Sequence, residues 1–123
     1  MKAIHTDKAP AAIGPYSQAI EAGSCVYISG QIPYTADGKL AGESIEEQTL
    51  QSVLNVGEIL KSAGCGFENV VKTTCYLADM ADFGAFNAIY AEYFTGKPAR
   101  ACVAVKTLPK NVLVEIEAIA VKE

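Results

Sequence analysis

Ser44-Ile45-Glu46-Glu47, followed by Leu50, Val53, Leu54, Gly57 and Leu60 and stopped at Gly64, predicts a helix near the middle of the chain. In an S-x-x-E start, the serine hydroxyl and the glutamate carboxylate satisfy backbone donors that a first helical turn leaves unpaired. A glycine after the last periodic residue is a natural stop. Upstream, Lys2–Thr6, Ser17–Ala22 and Cys25–Gly30 read as strands separated by glycine and proline turn signals. Downstream, Val70–Leu77 is a further strand, and a second helix is predicted from near Asp79, with Asp82 in its first turn complementing the dipole. Its apolar stripe is Phe83, Phe86, Ile89, Tyr90, Tyr93 and Phe94, and Gly96 with Pro98 ends it. Aromatic residues at that spacing are more often core than a stacking platform. Arg100–Lys106 and Leu113–Val121 complete the strands. The order strands, helix, strand, helix, strands indicates an α+β domain.

A chain of 123 residues fits one domain, residues 1–123, and the half that is hydrophobic suffices for a packed core. Ten basic against 14 acidic residues give a net charge of −4. That balance, with the cations scattered, disfavours nucleic acid as a partner, because duplex binding needs clustered Lys and Arg. The N-terminal residues lack an apolar signal region, and no stretch has the length of a membrane span, so neither secretion nor a membrane is expected. The four cysteines, Cys25, Cys65, Cys75 and Cys102, stand far apart, with His5 the only histidine. This spacing suits reduced thiols in a cytoplasm and does not suit a zinc site.

Several strands alternate between two apolar faces. Val26 and Ile28 oppose Cys25 and Tyr27, and Val71 and Leu77 oppose Val70 and Tyr76. Two helices cover only one face of a sheet this wide, so the other is expected to meet further copies of the chain.

No phosphate-binding glycine loop, nucleophile elbow or HExxH helix is present. What remains is charge where strands prefer apolar residues. Arg100 precedes Ala101, Cys102, Val103, Ala104 and Val105, and Glu115 and Glu117 share one face of the last strand. Such charges must reach solvent, pair, or line a cleft. A solvated sheet edge or an interfacial ion pair accounts for the pattern as well as a cleft does. Cys102 has no histidine near it in sequence, and small buried cysteines are common.

Five segments carry a resemblance. They are Ile13-Gly14-Pro15-Tyr16-Ser17-Gln18-Ala19, Ser29-Gly30-Gln31-Ile32-Pro33, Val71-Lys72-Thr73-Thr74, Pro98-Ala99-Arg100-Ala101-Cys102-Val103 and Val114-Glu115-Ile116-Glu117. Together, in this order and spacing, they resemble the RidA/YjgF family along nearly the whole chain. The resemblance implies a chorismate-mutase-like fold, a six-stranded mixed sheet with two helices on one face, assembled as a homotrimer with clefts between subunits. It also implies hydrolysis of 2-imino acids, derived from enamines such as 2-aminoacrylate, to 2-oxo acids and ammonia. That reaction protects pyridoxal-phosphate enzymes and needs no cofactor or metal. By the same resemblance Arg100 binds the substrate carboxylate and Glu115 handles the water. Tyr16, Ser29, Gly30, Asn87 and Cys102 then line the pocket. The connection Phe94-Thr95-Gly96-Lys97-Pro98-Ala99 is shorter than in some relatives, where it reaches the cleft mouth. The competing reading is a non-catalytic trimer that binds 2-oxo acids as a regulator. Ribonuclease and chaperone activities, ascribed to some members, rank below it.

Overall fold

The computed structural model describes residues 1–123. Its strands are β1 (Lys2–Ile4), β2 (Ala19–Ala22), β3 (Cys25–Gln31), β4 (Val70–Leu77), β5 (Ala99–Ala104) and β6 (Val114–Val121), and its helices are α1 (Ile45–Ser62) and α2 (Phe83–Tyr93). One sheet holds all six strands in the order β1-β2-β3-β6-β4-β5. β4 and β5 run parallel and every other pair is antiparallel, so the sheet is mixed. A parallel neighbour requires a crossover, and α2 supplies it. The α+β architecture expected from the order of elements is the one observed.

Both helices pack on one face of the sheet. Along β6, Val114, Ile116, Ala118 and Ala120 are buried under them, while Glu115, Glu117, Ile119 and Val121 alternate onto the open face. Phe86, Ile59, Leu60, Leu77 and Ile116 are wholly enclosed. Each such side chain contributes about 1.5–3 kcal/mol relative to exposure.

α1 begins at the expected box, with the Ser44 hydroxyl accepting from the Glu47 N–H at 3.1 Å and the Ser44 N–H donating to Glu47 at 3.3 Å. Its rotation differs from the sequence reading. Leu50 and Leu54 are 38% and 41% exposed, whereas Gln48, Thr49, Ser52 and Asn55 turn inward with Val53, Val56 and Ile59. Buried loop backbone needs hydrogen-bond partners, and this helix provides them. Gln48 donates to the Gly42 carbonyl at 2.9 Å and accepts from the Leu113 N–H at 2.8 Å. Asn55 donates to the carbonyls of Ile32 and Tyr34 at 3.2 and 2.9 Å.

The second helix starts later than the sequence suggests. Asp79 caps a single 3₁₀ turn, Met80–Asp82, by accepting from the Ala81 N–H at 2.9 Å, and the α-helix follows at Phe83. In β4 a bulge between Val70 and Lys72 breaks the simple alternation. Val70 therefore lies buried on the same face as Leu77, and Val71, 47% exposed, does not pair with Leu77 as the sequence reading had it. β2 and β5 are shorter than Ser17–Ala22 and Arg100–Lys106. The residues ahead of β2 are tied down by the buried Gln18. Its amide accepts from the Thr6 N–H at 2.7 Å and donates to the carbonyls of Thr6 and Pro10 at 3.0 and 2.8 Å.

Candidate functional site

Arg100 lies on the edge strand β5, in register with Thr73 of β4, and Cys102 is in register with Cys75. Thr73 and Cys75 are buried under the helices, so Arg100 and Cys102 face that side as well. The guanidinium is braced there. Its Cζ stands 4.8 Å from the centre of the Tyr90 ring and 5.4 Å from that of Phe83, and Nη1 donates to Asn87 Oδ1 at 2.6 Å. The Tyr90 hydroxyl is itself hydrogen-bonded to that of Thr73 at 2.7 Å, which stops the ring from swinging away. The chain's ion pairs join His5 to Asp7, Lys39 to Asp37 and Lys122 to Glu21, so no carboxylate of the same chain neutralises Arg100. A planar guanidinium held on one edge and one face, with its other donors free, is suited to grip a carboxylate in two-point fashion. Beside it opens a cleft of about 620 Å³ lined by Asn87, Tyr90 and Arg100 among others. Burial pushes the Cys102 thiol up, partly offset by the nearby Arg100 charge, so the thiol stays protonated at neutral pH. That condition does not make a nucleophile.

Glu115 projects from the other face. On β6 it pairs with Tyr76, and Glu117 pairs with Thr74, both on the side away from the helices. A bulge between Ile28 and Gln31 lifts Ser29 and Gly30 out of the β3–β6 ladder. The Glu115 carboxyl fills the space over Gly30, where any Cβ would come within 2.8 Å of Glu115 Cδ. Only glycine allows that approach. Burial raises the Glu115 carboxyl above its ordinary range, and the charge of Glu117 raises it further. Glu117 accepts a hydrogen bond from the Tyr76 hydroxyl at 2.5 Å, which pushes that phenol up to about 12. Of the two carboxylates, Glu117 is thus tied and Glu115 is the desolvated, unbonded one. Such a carboxyl is a stronger base than one in water. Gly30 and Tyr16 line a second cleft of about 610 Å³. Ser29, which precedes Gly30 and is not part of that lining, has both donors spent, its hydroxyl on the Ser17 carbonyl at 2.6 Å and its N–H on that of Gln18 at 2.9 Å.

The residues named from the sequence therefore fall into two groups. Arg100, Asn87 and Cys102 come together on the helix face, and Glu115, Gly30, Ser29 and Tyr16 come together around the open face and its rim. A single chain does not bring the guanidinium and the Glu115 carboxylate to one point. Sequence reasoning missed the platform beneath Arg100, because Phe83 and Tyr90 read as core. Tyr90, three residues from Asn87 on the same helical face, was the available signal.

The family model described as Endoribonuclease L-PSP matches residues 6–122. The chain belongs to this family, the RidA/YjgF group. Among its relatives in the family, a mouse 2-iminobutanoate/2-iminopropanoate deaminase is 55% identical, over 98% of this chain and 91% of that protein. The human protein of the same name is 50% identical over 98% and 90%. The crystal structure of Escherichia coli TdcF with bound serine superposes with a TM-score of 0.95 at 40% identity, covering all of both chains. Yeast Mmf1 gives a TM-score of 0.96 at 46% identity, over 99% and 98%. The RidA/YjgF fold thus extends over the whole chain.

Proposed function

We propose that this chain hydrolyses 2-imino acids to 2-oxo acids and ammonia, at sites assembled between copies of itself in a homotrimer. The observation that carries this reading is the pairing of an unneutralised, braced Arg100 with a desolvated, unbonded Glu115 on opposite faces of one sheet. Neither group has a charged partner of opposite sign within its own chain; Arg100 lines one cleft, and Glu115 lies against Gly30, which lines the other. The open sheet face also exposes Tyr27 and Val103, 48% and 46% accessible, which is uncommon unless another surface covers it. A neighbour seated there brings its Arg100 edge toward Glu115. The mouse and human relatives are deaminases of 2-iminobutanoate and 2-iminopropanoate, and TdcF was crystallised with serine, an amino acid that carries the same carboxylate.

The chemistry follows from the groups. Arg100 of one subunit fixes the substrate carboxylate, leaving the imine carbon toward Glu115 of the next. Glu115 takes a proton from water as the oxygen bonds to that carbon and the C=N electron pair moves to nitrogen. Glu115 returns that proton to nitrogen and relays the proton of the added hydroxyl to it as well; the C–N bond breaks, ammonia leaves and the oxygen becomes the 2-oxo group. The imine carbon is electrophilic without further activation, so positioned water and one base suffice. With four free thiols the chain suits a reducing cytoplasm, where it protects pyridoxal-phosphate enzymes from the enamines they release. The test couples a threonine or serine dehydratase to the protein and follows imine decay. Accelerated 2-oxo acid release supports the reading, and an unchanged rate overturns it. An RNA substrate belongs in the same experiment because the family model carries the name of an endoribonuclease. With a net charge of −4 and its one histidine exposed and bonded to Asp7, the chain is expected to leave RNA intact.

A further inference from the structure

We propose that Lys97 makes this site accept 2-imino dicarboxylates, taking the second carboxylate while Arg100 takes the first; this rests on the imine-hydrolysis reading above. Lys97 and Arg100 line the same cleft, and none of the residues lining it is an aspartate or glutamate. Neither cation belongs to an ion pair in the chain. A monocarboxylate neutralises Arg100 and leaves the Lys97 charge unmatched, whereas a diacid matches both. Two residues separate the two positions, so their Cα atoms lie at most about 11 Å apart. Two long side chains at that spacing can close on the two ends of a four- or five-carbon diacid.

The backbone at Lys97 is fixed by the turn that follows α2. Its φ is 52°, in the left-handed region that β-carbon sterics disfavour, and it immediately precedes Pro98. Its N–H donates to the Phe94 carbonyl at 3.3 Å, which anchors the connection to the end of α2. The substrate class has a chemical consequence. β-Elimination from serine or threonine yields only neutral side chains, so imino dicarboxylates call for a different supply, such as two-electron oxidation at Cα of an acidic amino acid.

The experiment compares imine hydrolysis on 2-iminoglutarate, made in place by a glutamate oxidase, with that on a neutral imine made by an L-amino-acid oxidase from leucine. The wild type is expected to accelerate both. Lys97→Asn removes the charge while keeping a residue that tolerates the left-handed backbone. It should lower kcat/KM on 2-iminoglutarate by about tenfold or more and leave the neutral imine within about twofold. Lys97→Arg should retain turnover of the diacid. Equal losses on both substrates, no loss on the diacid, or a wild type active only on the neutral imine would overturn the proposal. A wild type inert on both imines sinks the imine-hydrolysis reading itself.

Discussion

Glu115 and Gly30 are in contact at the centre of the open-face group, and two changes probe that contact. In the proposed reaction the Glu115 carboxylate is the base, so the rate should fall as pH drops through its raised pKa, at a pH above the ordinary glutamate value of about 4.3. Glu117→Gln removes the second of the two causes of that rise, so the acidic limb of the kcat/KM profile should move to lower pH. Glu115→Gln should abolish the limb and cost on the order of 10²-fold in rate while a 2-oxo acid still binds. Retained turnover in Glu115→Gln together with its loss in Glu117→Gln would mean the wrong carboxylate was assigned. The sign for stability is opposite. A carboxyl whose folded pKa is raised contributes stability below its unfolded pKa and loses it as pH rises through the folded pKa. Glu115→Gln should therefore raise the melting temperature at pH 7 and change it little near pH 4. Gly30→Ala places a methyl group where the carboxyl lies, and activity should drop sharply while the far-ultraviolet dichroism is unchanged.

α1 is an amphipathic helix whose inner face is half polar, and this sets which of its residues matter. Asn55 is 1% exposed and holds the carbonyls of Ile32 and Tyr34, the segment that follows β3 and walls the Gly30 cleft. Asn55→Leu keeps the branched shape but leaves both carbonyls without this partner, and should cost about 1–3 kcal/mol in urea denaturation. Leu54, its neighbour, is exposed, and Leu54→Ala should stay within about 0.5–1 kcal/mol. The hydrophobic pattern by itself forecasts the reverse order.

Assembly is the property on which the proposed sites depend. Light scattering should give about three times the chain mass, as a closed cyclic trimer requires. Mixing is the sharper measurement. Arg100→Ala and Glu115→Gln homotrimers should each be nearly inactive. After subunit exchange, a mixed trimer contains one interface with an intact arginine facing an intact glutamate, about a third of the sites. Recovered turnover supports sites shared between chains, and none after confirmed exchange refutes them.

The capping box at Ser44, the alternation of Val114–Val121 and the glycine stop at Gly64 were legible because each involves residues within a few positions of one another. Those local interactions survive whatever surrounds them, and with the order of elements they determined an α+β chain. The candidate residues were legible as misplaced charges, Arg100 and Glu115, and the family resemblance joined them. The rotation of α1 was not legible, because the need of the Ile32, Tyr34 and Gly42 carbonyls for partners outweighed the pull of Leu50 and Leu54 toward the core. Nor were the faces. A bulge adds one residue to a strand and reverses every side chain beyond it, which is how Val70 came to lie with Leu77. Only the tertiary structure set Arg100 over Tyr90 on one side of the sheet and Glu115 over Gly30 on the other, because strand order and register decide which distant residues share a surface.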